Sequence, residues 1–587
     1  MERSSITKWL FIGLAVFLFW TFGKPLLFGG KQSPIQPQVA DQSEPAMETR
    51  PAEDVCALKG DRFEAVLSTR GASLKHLALT DQQHPDYRAY EHSRPFMGAN
   101  PLGPMDLVTT KSEELPKEQA AAQLAPLGLE TRMPLHGDLR VPGADDKVQQ
   151  VRFDSFDWKI AAQDGKSCTF TYQDDSTALT KTITATGKPF EMQISMKVEN
   201  LGAEPKKHRL SFEQSAWRTK AETEGSLGRQ SEFMTETVAS TKAKTDRQTP
   251  GDFDPDAFSK PEFTAEHWRR TQGEVQFVAV SSSYFTKIAI PLSSPVPPSA
   301  ETRIEEYWNW RAVADKSKDP NFGHVYRARL AYPEVELKPH ETATYEVLTF
   351  HGPKERQLLA ALNHGTDEVL NLGKFAVIAR YLILYLYWLK GVTGTWGVAI
   401  ILLTVTIRTA LFPLSLSQIK SSVAMRKLKP EMDALNEKYK DDAAQRGLAI
   451  QELWRKNKVT NPVLGCLPML LQMPVWWALY SSLQTAVELY HEKFLWFADL
   501  SAPDRFFIIP VVLGASSFIQ QKLMPPQGDP QQQKMMMYMM PAVFTFMMLF
   551  LPSGLGVYML TNTWLGIGQQ LLVERYLKAK AGGSGSG

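Results

Sequence analysis

The sequence predicts a polytopic α-helical membrane protein with a large β-sandwich domain outside the bilayer. Three observations predict it. Long apolar runs crowd residues 375–575, whereas residues 30–370 are polar, mixed in charge and punctuated by Pro and Gly. The polar part is built of short segments that alternate with a period of two, a strand signal. Basic residues are divided unevenly between the loops that join the apolar runs, ten Lys and Arg in 415–462 against two in 485–505. A net charge of +2 over 587 residues hides this division into two unlike halves.

The first element, residues 1–29, has a basic start and an apolar stretch without a small-x-small cleavage site, and reads as an uncleaved transmembrane anchor. Arg3 and Lys8 precede the stretch and Lys24 and Lys31 follow it, so local charge leaves its orientation open. Residues 30–55 are rich in Pro, Gln and Glu without periodicity and read as a flexible linker. Strand-like segments then run over 62–69, 72–79, 168–173, 190–200, 275–292, 327–337 and 343–350. Many strands without intervening helices imply a sandwich over 56–370. Three cysteines are too few for a disulfide scaffold. Cys466 lies in an apolar run, so only Cys56 and Cys168 could pair, and whether they do is open. The final GGSGSG has the composition of an artificial linker and is set aside.

The apolar half holds five candidate spans: Trp396–Leu416, Cys466–Gln484, Phe506–Leu523, Met535–Leu551 and Leu555–Val573. A sixth run, 375–389, has Arg380 inside it and is short of the roughly 20 residues a crossing needs. Residues 371–392 are therefore expected to lie in the membrane interface as an amphipathic helix. Basic loops stay cytoplasmic. That rule places 415–462, 524–534 and the C-terminus inside, the β domain and 485–505 outside, and the N-terminus inside. Six spans result.

One residue spoils the first of the five spans. Arg408 sits well within it, and a charge there costs several kcal/mol unless it meets a partner or water. No acidic or histidine residue falls inside the other spans; Glu574 and Glu488 stand at or beyond their ends. Neutral polar groups are available instead, among them Thr404 one turn earlier, Gln472, Ser516, Gln520, Thr545, Asn562 and Gln569. Two readings follow. Arg408 snorkels to the cytoplasmic headgroups, or it faces a water-filled, positively charged recess, which the lack of a charged partner favours.

Residues 535–549 contain seven methionines among aromatics, a flexible apolar surface suited to many partners or simply to lipid. In the basic loop, Met432, Leu435 and Tyr439 recur at helical spacing. A second helical stretch, Ala443–Asn457, carries Ile450, Leu453 and Trp454. A turn near 440–442 folds the two into a helical hairpin within 417–460, either a topology signal or a receiving surface for partners.

At these residues the chain resembles the YidC/Alb/oxidase-assembly family of membrane-protein insertases. The resemblance rests on IRTALFPLSLSQIKSSVAMRKLKPEM (407–432), NPVLGCLPMLLQMPVWWALY (461–480), QQKMMMYMMP (532–541) and LPSGLGVYMLTN (551–562). It covers about 200 residues, with a looser fit of the β domain at 62–81 and 282–292. The resemblance implies a five-helix insertase core over 395–580 and a periplasmic β-supersandwich. It also implies an inner-membrane location, no cofactor or metal, and no covalent chemistry. A hydrophilic groove closed toward the periplasm would enclose Arg408. Thr404 and Tyr558 match positions that meet substrate helices, and Gln472, Asn562, Met540 and Phe544 join them as expected substrate contacts. The third and fifth spans would form an apolar slide. The family often has a second aromatic after the tyrosine; here it is Met559. Expected partners are nascent membrane proteins, the Sec translocon, the signal recognition particle pathway and the lipid bilayer, with weak ribosome contact through the cytoplasmic loops. The hairpin residues Lys427, Lys429, Lys438, Lys440 and Trp454 would meet such partners, and no nucleic-acid substrate is implied.

Rivals of other classes fare worse. A secondary transporter or channel with an anion site at Arg408 lacks broken-helix repeats and intramembrane acids for ion coupling. An intramembrane protease at Ser553 lacks a base at depth. The sandwich itself could bind sugars, chaperone substrates or act as a scaffold, and the sequence does not choose among these.

Overall fold

The computed structural model describes residues 53–80, 105–108, 134–142, 148–150, 158–223, 231, 233–253, 268–307, 315–319, 322–439, 442–457, 467–523 and 530–583. The expected N-terminal anchor, most of the linker, Lys440 and Cys466 lie outside these residues.

The first half is a β-sandwich. A nine-stranded antiparallel sheet runs in the order Thr245–Gln248, Glu236–Thr241, Val275–Ser281, Phe285–Ser293, Thr342–Pro353, Glu191–Asn200, Thr177–Ala185, Ser167–Gln173 and Lys159–Gln163. A seven-stranded sheet faces it, centred on Lys206–Thr219 and Gly323–Ala331. Alternation builds the core between them. Leu210, Phe212, Ala328 and Leu330 point inward from one sheet, and Ile194, Met196, Ile288, Ile290 and Val347 from the other. The stretch read as continuous over 275–292 is a hairpin of two strands, turned where the Ser282 N–H donates to the Phe285 carbonyl. A small sheet of Val55–Lys59, Phe63–Ser68 and Ser73–Leu79 packs beside them. It is tied to the nine-stranded sheet by a Cys56–Cys168 disulfide, which settles the pairing the sequence left open.

Alternation also carries lysines inward. On Thr177–Ala185 the inward set includes Lys181, fully buried, whose Nζ donates to the Leu135 carbonyl at 2.5 Å. Burial pushes the Lys181 ammonium down to about 7. Burial, with Arg218 nearby, pushes Lys287 down to about 7 as well. Unfolded lysines hold their protons to roughly pH 10.4. Between about pH 7 and pH 10 the unfolded chain therefore binds more protons than the folded one, and stability rises with pH by at most roughly 1.4 kcal/mol per unit per lysine. Pulse proteolysis in urea should give a higher midpoint for the domain at pH 9 than at pH 7. Lys181→Met should raise the pH 7 midpoint and flatten that rise; an unchanged slope would remove Lys181 from the account.

The second half is helical. In chain order the helices are α1 (Ala376–Thr393), α2 (Trp396–Ala410), α3 (Phe412–Lys427), α4 (Lys429–Lys438), α5 (Ala443–Lys456), α6 (Leu467–Thr485), α7 (Ile508–Leu523), α8 (Pro530–Met548) and α9 (Ser553–Gly583). Leu386, Ile400, Leu403, Leu483, Leu513, Met548 and Tyr558 form one buried cluster that joins α1, α2, α6, α7, α8 and α9. Gly514 lets α7 and α8 approach closely, because a Cβ there would stand 2.1 Å from Thr545 Oγ1. Two helices differ from the sequence reading. The run 396–416 is broken at Leu411, since Pro413 removes a helical donor and crowds the preceding turn. The short run 375–389 extends to an 18-residue helix, α1, by length and composition the one helix among the described residues able to cross a membrane.

The two halves touch. Val487 and Tyr490, just after α6, are buried in the core of the sandwich, with Tyr490 packed on Tyr284 and Phe285. Beside them Glu488 accepts from the Tyr387 hydroxyl of α1.

Candidate functional site

The break at Leu411 changes where Arg408 stands. It is not mid-helix but in the last turn of α2, where the carbonyl ends of the helix favour a cation. Its side chain is half-buried and reaches across to α9. Arg408 Nε donates to Asn562 Oδ1, and Nη2 donates to the Asn562 main-chain carbonyl at 2.9 Å. Along α9, Tyr558, Asn562 and Gly566 succeed one another every fourth residue and so share one face. Gln520 of α7 closes the same spot: a Cβ on Gly566 would lie 3.1 Å from Arg408 Nη2 and 3.2 Å from Gln520 Nε2. Neutral dipoles thus surround the arginine, and the residue that accepts its hydrogen bonds, Asn562, carries no charge.

The other expected site residues fall in several places. Thr404 is 1% exposed and its hydroxyl donates to the Ile400 carbonyl, a bond within its own helix. Tyr558 is equally buried and interacts electrostatically with Arg408. Met540 and Phe544 are half-buried, one turn apart on α8. Gln472 lies on α6, and its side chain is outside the described set. The structure therefore brings Arg408, Asn562 and Tyr558 together and leaves Met540 and Phe544 on another helix. Gly566 was not read from the sequence. Its signal was an Asn-x-x-x-Gly spacing, which means little until the arginine is placed opposite.

On the basic loop, α4 and α5 form the hairpin, the second helix capped by Asp442, whose carboxylate accepts from the Ala444 and Gln445 N–H groups. Lys427 and Lys438 are exposed. Trp454 points inward, packed with Met425 and Leu428. The Lys429 side chain, like Lys440, is outside the described set. Arg426 at the end of α3 pairs with Glu574 of α9, and Gln570 Nε2 donates to the Leu523 carbonyl at 2.6 Å, so polar contacts clasp α3, α7 and α9 at one end.

Comparison with known proteins adds the following. The family described as "60Kd inner membrane protein" matches residues 388–580, and that described as "YidC periplasmic domain" matches residues 137–385. The membrane protein insertase YidC of Anaeromyxobacter dehalogenans is 34% identical over 536 residues, 90% of this chain and 86% of that one. Its counterpart from Geobacter sulfurreducens is 44% identical over 247 residues, 42% of this chain and 46% of its own. A crystal structure of an active YidC insertase with its first transmembrane domain resolved is 18% identical, covering 88% of this chain and 94% of that one at a TM-score of 0.34. A relative matched along nine-tenths of the sequence, with both halves claimed by the same kind of protein, leaves one placement: the chain belongs to the YidC family of membrane protein insertases, with a periplasmic domain followed by a helical insertase region.

Proposed function

We propose that this chain inserts membrane proteins into the inner membrane without bond-making chemistry, using Arg408 as a fixed positive charge part-way across. The carrying observation is the arginine's surroundings. It is half-buried and hydrogen-bonded to a neutral residue, so its charge is held in place but not cancelled. A polar or acidic tail of a substrate enters beside it from the cytoplasmic side. The substrate's apolar segment moves along α6 and α8 into lipid. A charge and water part-way across lower a barrier that otherwise costs several kcal/mol per charged group.

The same proposal covers the membrane arrangement. Spans α2, α6, α7, α8 and α9 follow an N-terminal anchor, and α1 lies along the periplasmic surface. Two contacts favour a surface position for α1 over a seventh crossing. Arg380 pairs with Asp367 at 3.2 Å, and Tyr387 bonds Glu488, so residues seven apart both meet groups on the domain's side. In a crossing helix Tyr387 would stand about 10 Å deeper than Arg380, at 1.5 Å of rise per residue. Tyr381 and Trp388, about 100° round the helix from Arg380 and Tyr387, are exposed, amphipathic rings suited to headgroup depth. Cooperation with the Sec translocon, the signal recognition particle pathway and, weakly, the ribosome through Lys427, Lys429, Lys438 and Lys440 belongs to this reading too.

The test is a photocrosslink. A ribosome-stalled single-span protein should crosslink to probes at Met540 and Phe544, and not to one at Leu572, an exposed α9 position. Equal crosslinking at all three would mean that no defined path exists.

A further inference from the structure

Arg408 commits two of its donors to a single residue, and that residue uses both its side chain and its main chain to receive them. The Asn562 carbonyl is the acceptor that helix geometry assigns to the Gly566 N–H. A carbonyl has a second lone pair, but a guanidinium reaches it only where the helix surface is bare. Gly566 provides that bareness: any Cβ would meet Arg408 Nη2 at 3.1 Å and Cζ at 3.5 Å. An amide at 562 also holds a cation without neutralising it, which no carboxylate could do.

We propose that Asn562 and Gly566 are positioning residues for Arg408, fixing the guanidinium so that Nη1 is turned to the acidic tail of an arriving substrate. Asn562 then acts through the arginine and is not itself a substrate contact. The inference rests on Arg408 being the tail-attracting charge proposed above. It separates charge from placement, which two substitutions can pull apart. Asn562→Leu keeps the charge and removes the side-chain anchor. Asn562→Asp keeps the anchor, strengthens it and cancels the charge.

The full-length protein in proteoliposomes is given one single-span substrate with either an acidic or a neutral translocated tail. The readouts are the ratio of acidic to neutral insertion and the thermal unfolding midpoint in detergent. In Asn562→Asp the ratio should fall about tenfold, the scale of one charge-assisted hydrogen bond, while the midpoint stays level or rises. In Asn562→Leu the ratio should fall although the charge is intact. A merely structural asparagine would lower the midpoint and leave the ratio alone. Arg408→Ala is run alongside. If it lowers the ratio and both Asn562 variants keep it, the positioning role is wrong and the charged site stands. If Arg408→Ala keeps the ratio as well, the charged site itself is wrong.

Discussion

Arg408→Glu should reverse the protein's tail preference, favouring basic over acidic translocated tails, while Arg408→Ala should abolish the preference and Arg408→Lys keep part of it. A unit charge 5 Å from a carboxylate at an effective dielectric of 20 is worth about 3 kcal/mol. Water beside a half-buried arginine reduces this, leaving about tenfold or more in the acidic-to-neutral insertion ratio. Lysine brings a charge but no planar fork, so it cannot take both oxygens of Asn562 in the arginine's geometry. Folding should respond weakly. Loss of Arg408 removes hydrogen bonds from a charged donor, worth about 1.5–3 kcal/mol each where buried and less at this half-buried position, but orphans no buried charge, which would cost about 3–5 kcal/mol. Insertion into proteoliposomes of one substrate with acidic, neutral or basic tails, against all four residues at 408, measures this. Equal insertion of every tail by every variant would rule the charge out of the mechanism.

What was readable in the sequence followed from periodicity, and what was not followed from distance along the chain. The apolar runs became α2, α6, α7, α8 and α9 because length and hydropathy are local properties. The longest strand, Lys206–Thr219, passed unread. Its inward residues Leu210, Phe212, Gln214 and Ala216 alternate with Glu213 and other polar groups that look exposed in sequence. Glu213 is in fact buried, held by Arg327 of the neighbouring strand. Lys181 was invisible for the same reason, since nothing local announces that a lysine at an inward position will find the Leu135 carbonyl. The break at Leu411 was open to view in Pro413, but the apolar run on both sides outweighed it. At the candidate site the sequence offered the arginine and a scatter of neutral polar residues. It could not pair Arg408 with Asn562, 154 residues away, nor show that Gly566 leaves the room for that pairing.

Impermeant thiol reagent applied to intact spheroplasts should label Lys493→Cys and spare Lys438→Cys, an all-or-none difference. The positions suit the test because both side chains are exposed, Lys493 after α6 and Lys438 at the end of α4. Only Cys466 needs removing beforehand, for Cys56 and Cys168 are joined and unreactive. Keeping that bond matters, since it closes a loop across 112 residues and its loss would cost about 2–5 kcal/mol. Two independent arguments give the direction. Ten basic residues in 415–462 against two in 485–505 argue for a cytoplasmic hairpin. A disulfide persists on the oxidising side of the membrane, which puts the sandwich, and with it the docked Val487–Tyr490 segment, in the periplasm. Lys493 follows that segment by three residues, so the disulfide and the loop charge must agree at this position. Labelling of Lys438→Cys with protection of Lys493→Cys would invert the arrangement and remove the cytoplasmic entry on which the role of Arg408 depends.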